Sequence, residues 1–284
     1  MRAGRTTRTT RPSIGGVHNQ TLDPRPPTRI ERALGHQRAA SSVLLVLLPL
    51  VCWSWIVVMA RDMYGPMTGA SAWMMTREWD ARHVFLLWAM WAVMMAGMML
   101  PSAAPLLLLY GAAARRRAGG RRATYEIYAL AAGYVTMWSL FSIAAAAAQR
   151  VLSMLLILSP MMTLTSPILG AAVLLFAGVY QMTPLKSVCL RQCQSPMSLL
   201  MHHWRPGVRG AFRMGVDHGA YCLGCCWALM VLLFVGGVMN LAVIAALTVF
   251  VGFEKLGPFG VHTARASGAL LIGAGVWMLL APRL

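Results

Sequence analysis

Four side chains able to bind a soft metal or exchange electrons fall within nine residues: His218, Cys222, Cys225 and Cys226, in HGAYCLGCCWALM. Read as a helix turning about 100° per residue, they share an arc of about 100°. His218–Cys222 and Cys222–Cys226 are then i,i+4 neighbours on one stripe. A second pair, Cys189 and Cys193, has the same spacing. Thiolates with an imidazole are soft donors suited to Cu(I) or Zn, and two such sets at one depth can fill a trigonal or tetrahedral shell. Two other readings stay open from the residues alone. Cys222 and Cys225 form a CxxC pair of the kind used in thiol–disulfide exchange, and cysteine is also a small apolar residue that packs cores.

Methionines form a second candidate set. Met90, Met94 and Met98 recur at i,i+4,i+8, with Met95 and Met99 beside them. Thioethers are neutral, soft, weak ligands that could pass Cu(I) along without trapping it; they also fill gaps in apolar packing. Asp217 adjoins His218 and is a candidate to orient that imidazole or to neutralise Arg213. Glu126, Glu254, His83 and Lys186 are functional candidates as ionisable residues in or near the membrane, and they lie near expected helix ends, where snorkelling or capping accounts for them at least as well. His202 and His203 fall in a basic loop. Nucleotide-binding fingerprints, HExxH and GxSxG do not occur, nor does a nucleophile–base–orienter set, so the expectation is a protein that is not an enzyme.

The elements that must position these residues are membrane helices. The chain has 284 residues, 58% of them hydrophobic and only 12% charged, against about 25% charged in a soluble domain. Its mean hydropathy is +0.62. Runs of roughly 20 apolar residues recur, the length that crosses a bilayer, and no strand-like alternation appears. The expected fold is all-α, a polytopic transmembrane bundle of about seven spans. These run from about Ser42 to Ala60, His83 to Ala113, Tyr125 to Ala148, Pro167 to Met182, Val216 to Val235, Leu241 to Phe253 and Ala266 to Leu280. Pro101 and Pro105 should kink the second.

The net charge of +17 would suggest nucleic acid in a soluble protein. Here the arginines fall in an N-terminal tail and in alternate loops, Arg115–Arg122 and Lys186–Arg213, which is the positive-inside pattern. The bilayer with its anionic lipids, rather than nucleic acid, is the expected partner. The loop Arg61 to Arg82 has balanced charges with Trp73, Trp79, Met63, Met67, Met74 and Met75, as an outer loop would. The N-terminus is therefore expected in the cytoplasm and the C-terminus outside. Residues 1–41, rich in Arg, Thr and Pro, read as a disordered cytoplasmic tail, and 42–284 as one transmembrane domain. The Cys and His set then lies on the reducing side of the membrane, where thiols persist.

Three ordered segments carry a family resemblance: MMAGMMLPSAAPLLLLY, YQMTPLKSVCLRQCQSP, and WRPGVRGAFRMGVDHGAYCLGCCWALMVLLFVGGVMN followed by FEKLGP. Over about Trp79 to Leu280 the chain resembles a bacterial family described as "predicted metal-binding integral membrane proteins", some of whose members are labelled copper chaperones. The resemblance implies a multi-pass protein of the bacterial inner membrane. It also implies metal binding, which on this chain points to Cys189, Cys193, His218, Cys222, Cys225 and Cys226. The expectation is a Cu(I) protein, with zinc as the second candidate metal, and with a metallochaperone or membrane partner in copper handling, delivery or transport. No ATPase motif occurs, so transport would be passive or driven by a partner. A membrane thiol–disulfide carrier and a structural or assembly subunit are the alternatives.

Overall fold

A computed structural model describes residues 29–65, 80–118, 120–155, 157–159, 162–202 and 204–281. Residues 1–28 of the expected 1–41 tail, most of the loop holding Met67, Trp73, Met74, Met75 and Trp79, and His203 lie outside the described residues, and residues 29–41 belong to the first helix.

The described chain is helical, with α1 (Arg29–Tyr64), α2 (Ala81–Ala118), α3 (Gly120–Met154), α4 (Pro167–Gln181), α5 (Pro184–Gln194), α6 (Pro196–His202), α7 (Gly207–Val231), α8 (Leu233–Gly236), α9 (Leu241–Leu256) and α10 (Gly260–Leu280). Among the described residues the β-type pairing is an isolated bridge between Leu158 and Leu164. Among the described residues, five helices are long and apolar enough to cross a membrane: Leu45–Tyr64, Ala81–Arg117, Arg121–Met154, Gly207–Gly236 and Gly260–Leu280. Counting the bent pair α4–α5 as one makes six. The remaining expected span, Leu241 to Phe253, corresponds to α9, whose 16 residues reach about 24 Å at 1.5 Å per residue, short of a hydrocarbon core of about 30 Å. The outward surface is apolar where a bilayer would lie: Val58, Leu140, Phe253, Leu270 and Trp277 are all exposed.

Helix α2 continues through both Pro101 and Pro105 as a single element. A bend of 63° separates α4 from α5. Two local signals explain that bend. Thr183 precedes Pro184 and is extended, with φ −71° and ψ 150°, as steric contact with the proline ring requires. Its side chain then caps α5 by accepting from the Lys186 amide at 3.3 Å. The bend turns the face of α5 carrying Cys189 and Cys193 toward α7.

Helix α7 packs on α3 more extensively than any other pair. Glycine makes this approach possible at two places. A Cβ on Gly133 would overlap the Phe212 carbonyl oxygen, and one on Gly215 the Leu130 carbonyl oxygen. The two backbones therefore touch, and Tyr134 of α3 is carried against α7. Helices α2, α5 and α9 close the remaining sides of the site.

Candidate metal centre

Three sulfurs meet where α5 faces α7. Cys193 Sγ lies 3.8 Å from Cys225 Sγ, and Cys225 Sγ lies 3.2 Å from Cys226 Sγ. All six cysteines are free thiols, and those of Cys222, Cys225 and Cys226 are buried. Two sulfurs each about 2.3 Å from one ion stand about 3.8–4.0 Å apart in tetrahedral or trigonal geometry, so the Cys193–Cys225 separation suits a shared ion. The sulfurs make a chain of contacts, and among the described residues no three His, Cys, Asp or Glu side chains converge in a group that could hold a metal. A closed shell would require Cys226 or Cys222 to turn toward the Cys193–Cys225 pair.

Cys222 faces a different set. Its Sγ accepts from Lys255 Nζ of α9 at 2.8 Å and touches the Tyr134 hydroxyl at 2.9 Å. Tyr134 also donates to the Met99 carbonyl at 3.0 Å. Lys255 Nζ reaches Ser102 Oγ at 3.1 Å and Met99 Sδ at 3.8 Å, both on α2. The two environments join along α7, where Cys225 Sγ donates to the Cys222 carbonyl at 3.1 Å.

The remaining expected residues fall around this centre. His218 is buried, with its ring 5.8 Å from that of Tyr134. Cys189 packs onto α7 at Gly224, where a Cβ would stand 2.8 Å from its sulfur. Asp217 pairs with Arg205 at 3.7 Å, with both side chains nearly half exposed, rather than with Arg213. Met90, Met94 and Met98 are buried in the core together with Met95 and Met99. Met99 reaches the Cys222 environment, with its Sδ 3.8 Å from Lys255 Nζ. Cys52 packs against Gly97 on α1's side of α2.

Three participants were not singled out from sequence: Lys255, Tyr134 and Ser102. Lys255 had a signal, a charged Glu-Lys pair closing an apolar run, which reads equally well as a snorkelling helix end. It is instead 5% exposed, and Glu254 and Lys186 are fully buried. Those two form an ion pair at 2.6 Å. Gln181 supports Glu254 at 2.8 Å, and Gln194 donates to its carbonyl at 2.7 Å. A phenol and a hydroxyl give no comparable signal, because both are common in membrane helices.

Soft donors from α2, α5 and α7 are thus gathered in one buried region, with Tyr134 of α3 and Lys255 of α9 against them. Among known proteins, the family model described as "PpoB2: Copper chaperone" matches residues 88–278. No curated protein and no solved structure matches the chain.

Proposed function

Because the chain belongs to the PpoB2 copper chaperone family, we propose that it is a bacterial inner-membrane protein that handles Cu(I) as cargo through its Cys/His cluster. The ligands are Cys193, Cys225 and Cys226, with Cys222, His218 and Cys189 within the same region. The observation that carries this reading is the 3.8 Å contact between Cys193 of α5 and Cys225 of α7, which sets thiols from two helices at the separation one soft ion needs. The buried methionines Met90, Met94 and Met98 extend the soft environment along α2 as a relay. In this reading the bundle has seven spans, two of them short: α4 with 15 residues and α9 with 16. The N-terminus and the basic loops are cytoplasmic, and a metallochaperone or membrane protein exchanges copper at the thiol end.

The test is the metal content of the purified protein under reducing conditions. Wild type should carry copper, and the Cys222→Ser/Cys225→Ser/Cys226→Ser variant should carry none. Equal copper in the two would remove the assignment, and zinc in place of copper would change the cargo.

One second reading has its own support. The same Cys193–Cys225 contact is close enough for a disulfide to form with modest movement, as a thiol–disulfide carrier would need. Differential alkylation of cells grown under oxidising and reducing conditions separates the two. Cysteines that stay reduced in both exclude the carrier.

A further inference from the structure

Lys255 presents three N–H donors, and they face three lone-pair donors from two other helices: Cys222 Sγ at 2.8 Å, Ser102 Oγ at 3.1 Å and Met99 Sδ at 3.8 Å. The adjacent carboxylate does not share this role, because Glu254 is engaged by Lys186 and Gln181. An ammonium buried to 5% exposure is costly without partners in a membrane protein, and sulfur is a poor substitute for a carboxylate. Lone pairs drawn from α2 and α7 around one buried cationic nitrogen form a cation site already filled by the chain itself. Without the lysine the place would offer a thiol, a thioether and a hydroxyl, a donor set that favours Cu(I) over hard cations.

The geometry points to a second metal position, made by Cys222, Met99 and Ser102 and held shut by Lys255 as an internal plug. This rests on the copper-handling reading above and adds a gate to it. Cu(I) held at Cys193, Cys225 and Cys226 reaches the methionine-lined core by way of Cys222, one helical turn away on α7. It enters that position only as the lysine withdraws. Cu(I) then takes the place of the ammonium at the Cys222 sulfur, the S–Cu bond forming as the thiol proton is released to solvent and the Lys255 N–H contact is given up.

The experiment uses the full chain in detergent under reducing, oxygen-free conditions, with Cu(I) itself as probe against a Cu(I)-specific chelator. Lys255→Leu removes the plug without adding a donor, and Lys255→Arg keeps a cation there. Lys255→Leu should bind Cu(I) at least about ten-fold more tightly or take up one further equivalent. Lys255→Arg should not, and Met99→Leu in the Lys255→Leu background should abolish the gain. In wild type, Cu(I) loading should raise acylation of Lys255 by an amine reagent, read by mass spectrometry. That measurement decides the matter if Lys255→Leu does not fold.

If wild type binds Cu(I) while Lys255→Leu shows neither gain and Lys255 is no more reactive on loading, the plug is overturned and the copper-handling reading stands. If wild type binds none and Lys255→Leu binds, the plug is upheld and copper handling by the resting protein falls. If neither binds, both are overturned.

Discussion

Lys186 Nζ of α5 lies 2.6 Å from Glu254 Oε2 of α9, with both side chains fully buried. The pair ties together the two elements that flank the sulfur cluster. It also separates the roles of consecutive residues. Side chains one residue apart on a helix diverge by about 100°, so Glu254 meets α4 and α5 while Lys255 meets α2 and α7. Removing one partner strands a buried charge, which costs about 3–5 kcal/mol, whereas removing both costs much less. Glu254→Gln and Lys186→Met should each lower the unfolding midpoint in detergent sharply, and the double variant should recover most of the loss. Additive effects would mean the two charges are not coupled.

Cys193 and Cys225 should matter to metal where Cys52 does not. Cys193→Ser or Cys225→Ser should weaken Cu(I) binding at least about ten-fold, equivalent to roughly 1.4 kcal/mol. Cys52, packed against Gly97 away from the cluster, should tolerate serine with no change in affinity. Chelator competition on the three purified variants measures this, and an equal loss at Cys52 would point to a fold effect rather than a site.

Gly224 tests whether Cys189 is a ligand. Its missing Cβ would stand 2.8 Å from Cys189 Sγ, so Gly224→Ala forces that side chain to another rotamer. Because only the end of a side chain must yield, the stability cost should be modest, about 1 kcal/mol. Cys189 should then alkylate faster in the folded protein. Cu(I) affinity falling with it would place Cys189 among the ligands, and unchanged affinity would exclude it.

Gly215 controls the α3–α7 approach. Its Cβ would meet the Leu130 carbonyl oxygen of α3, a backbone atom that cannot rotate away. Gly215→Ala should destabilise by about 1–3 kcal/mol through overpacking and push Tyr134 off Cys222, which are 2.9 Å apart in the native packing. A thermal-shift assay in detergent reads the first effect, and the alkylation rate of Cys222 reads the second. A neutral result in both would mean the helices slide apart at no cost.

Much of the architecture was legible in the order of residues, because the bilayer imposes a length and a polarity on each span. The apolar runs placed α1, α2, α3, α4, α7, α9 and α10, with the ends of α4 within one residue and those of the longer helices displaced by several. α7, for example, begins at Gly207, ahead of the expected Val216. Periodicity set His218, Cys222, Cys225 and Cys226 on one face, and the same i,i+4 logic applied to Cys189 and Cys193. Spacing along one helix could not say what that face meets. The bend at Thr183–Pro184 and the glycine contacts at Gly133 and Gly215 are tertiary facts, and they bring Cys193 to Cys225 while turning Cys189 toward Gly224. They also split the stripe. Cys225 faces Cys193 of α5 and touches Cys226, whereas Cys222 faces Lys255, Tyr134 and the α2 residues Met99 and Ser102. Lys255 could not be assigned from its neighbours in sequence, since a charge at the end of an apolar run satisfies the same pattern whether it reaches water or turns inward. What decides between the two is a set of acceptors from helices over 30 and over 150 residues distant in the chain, Cys222 and Ser102, and only packing brings those together.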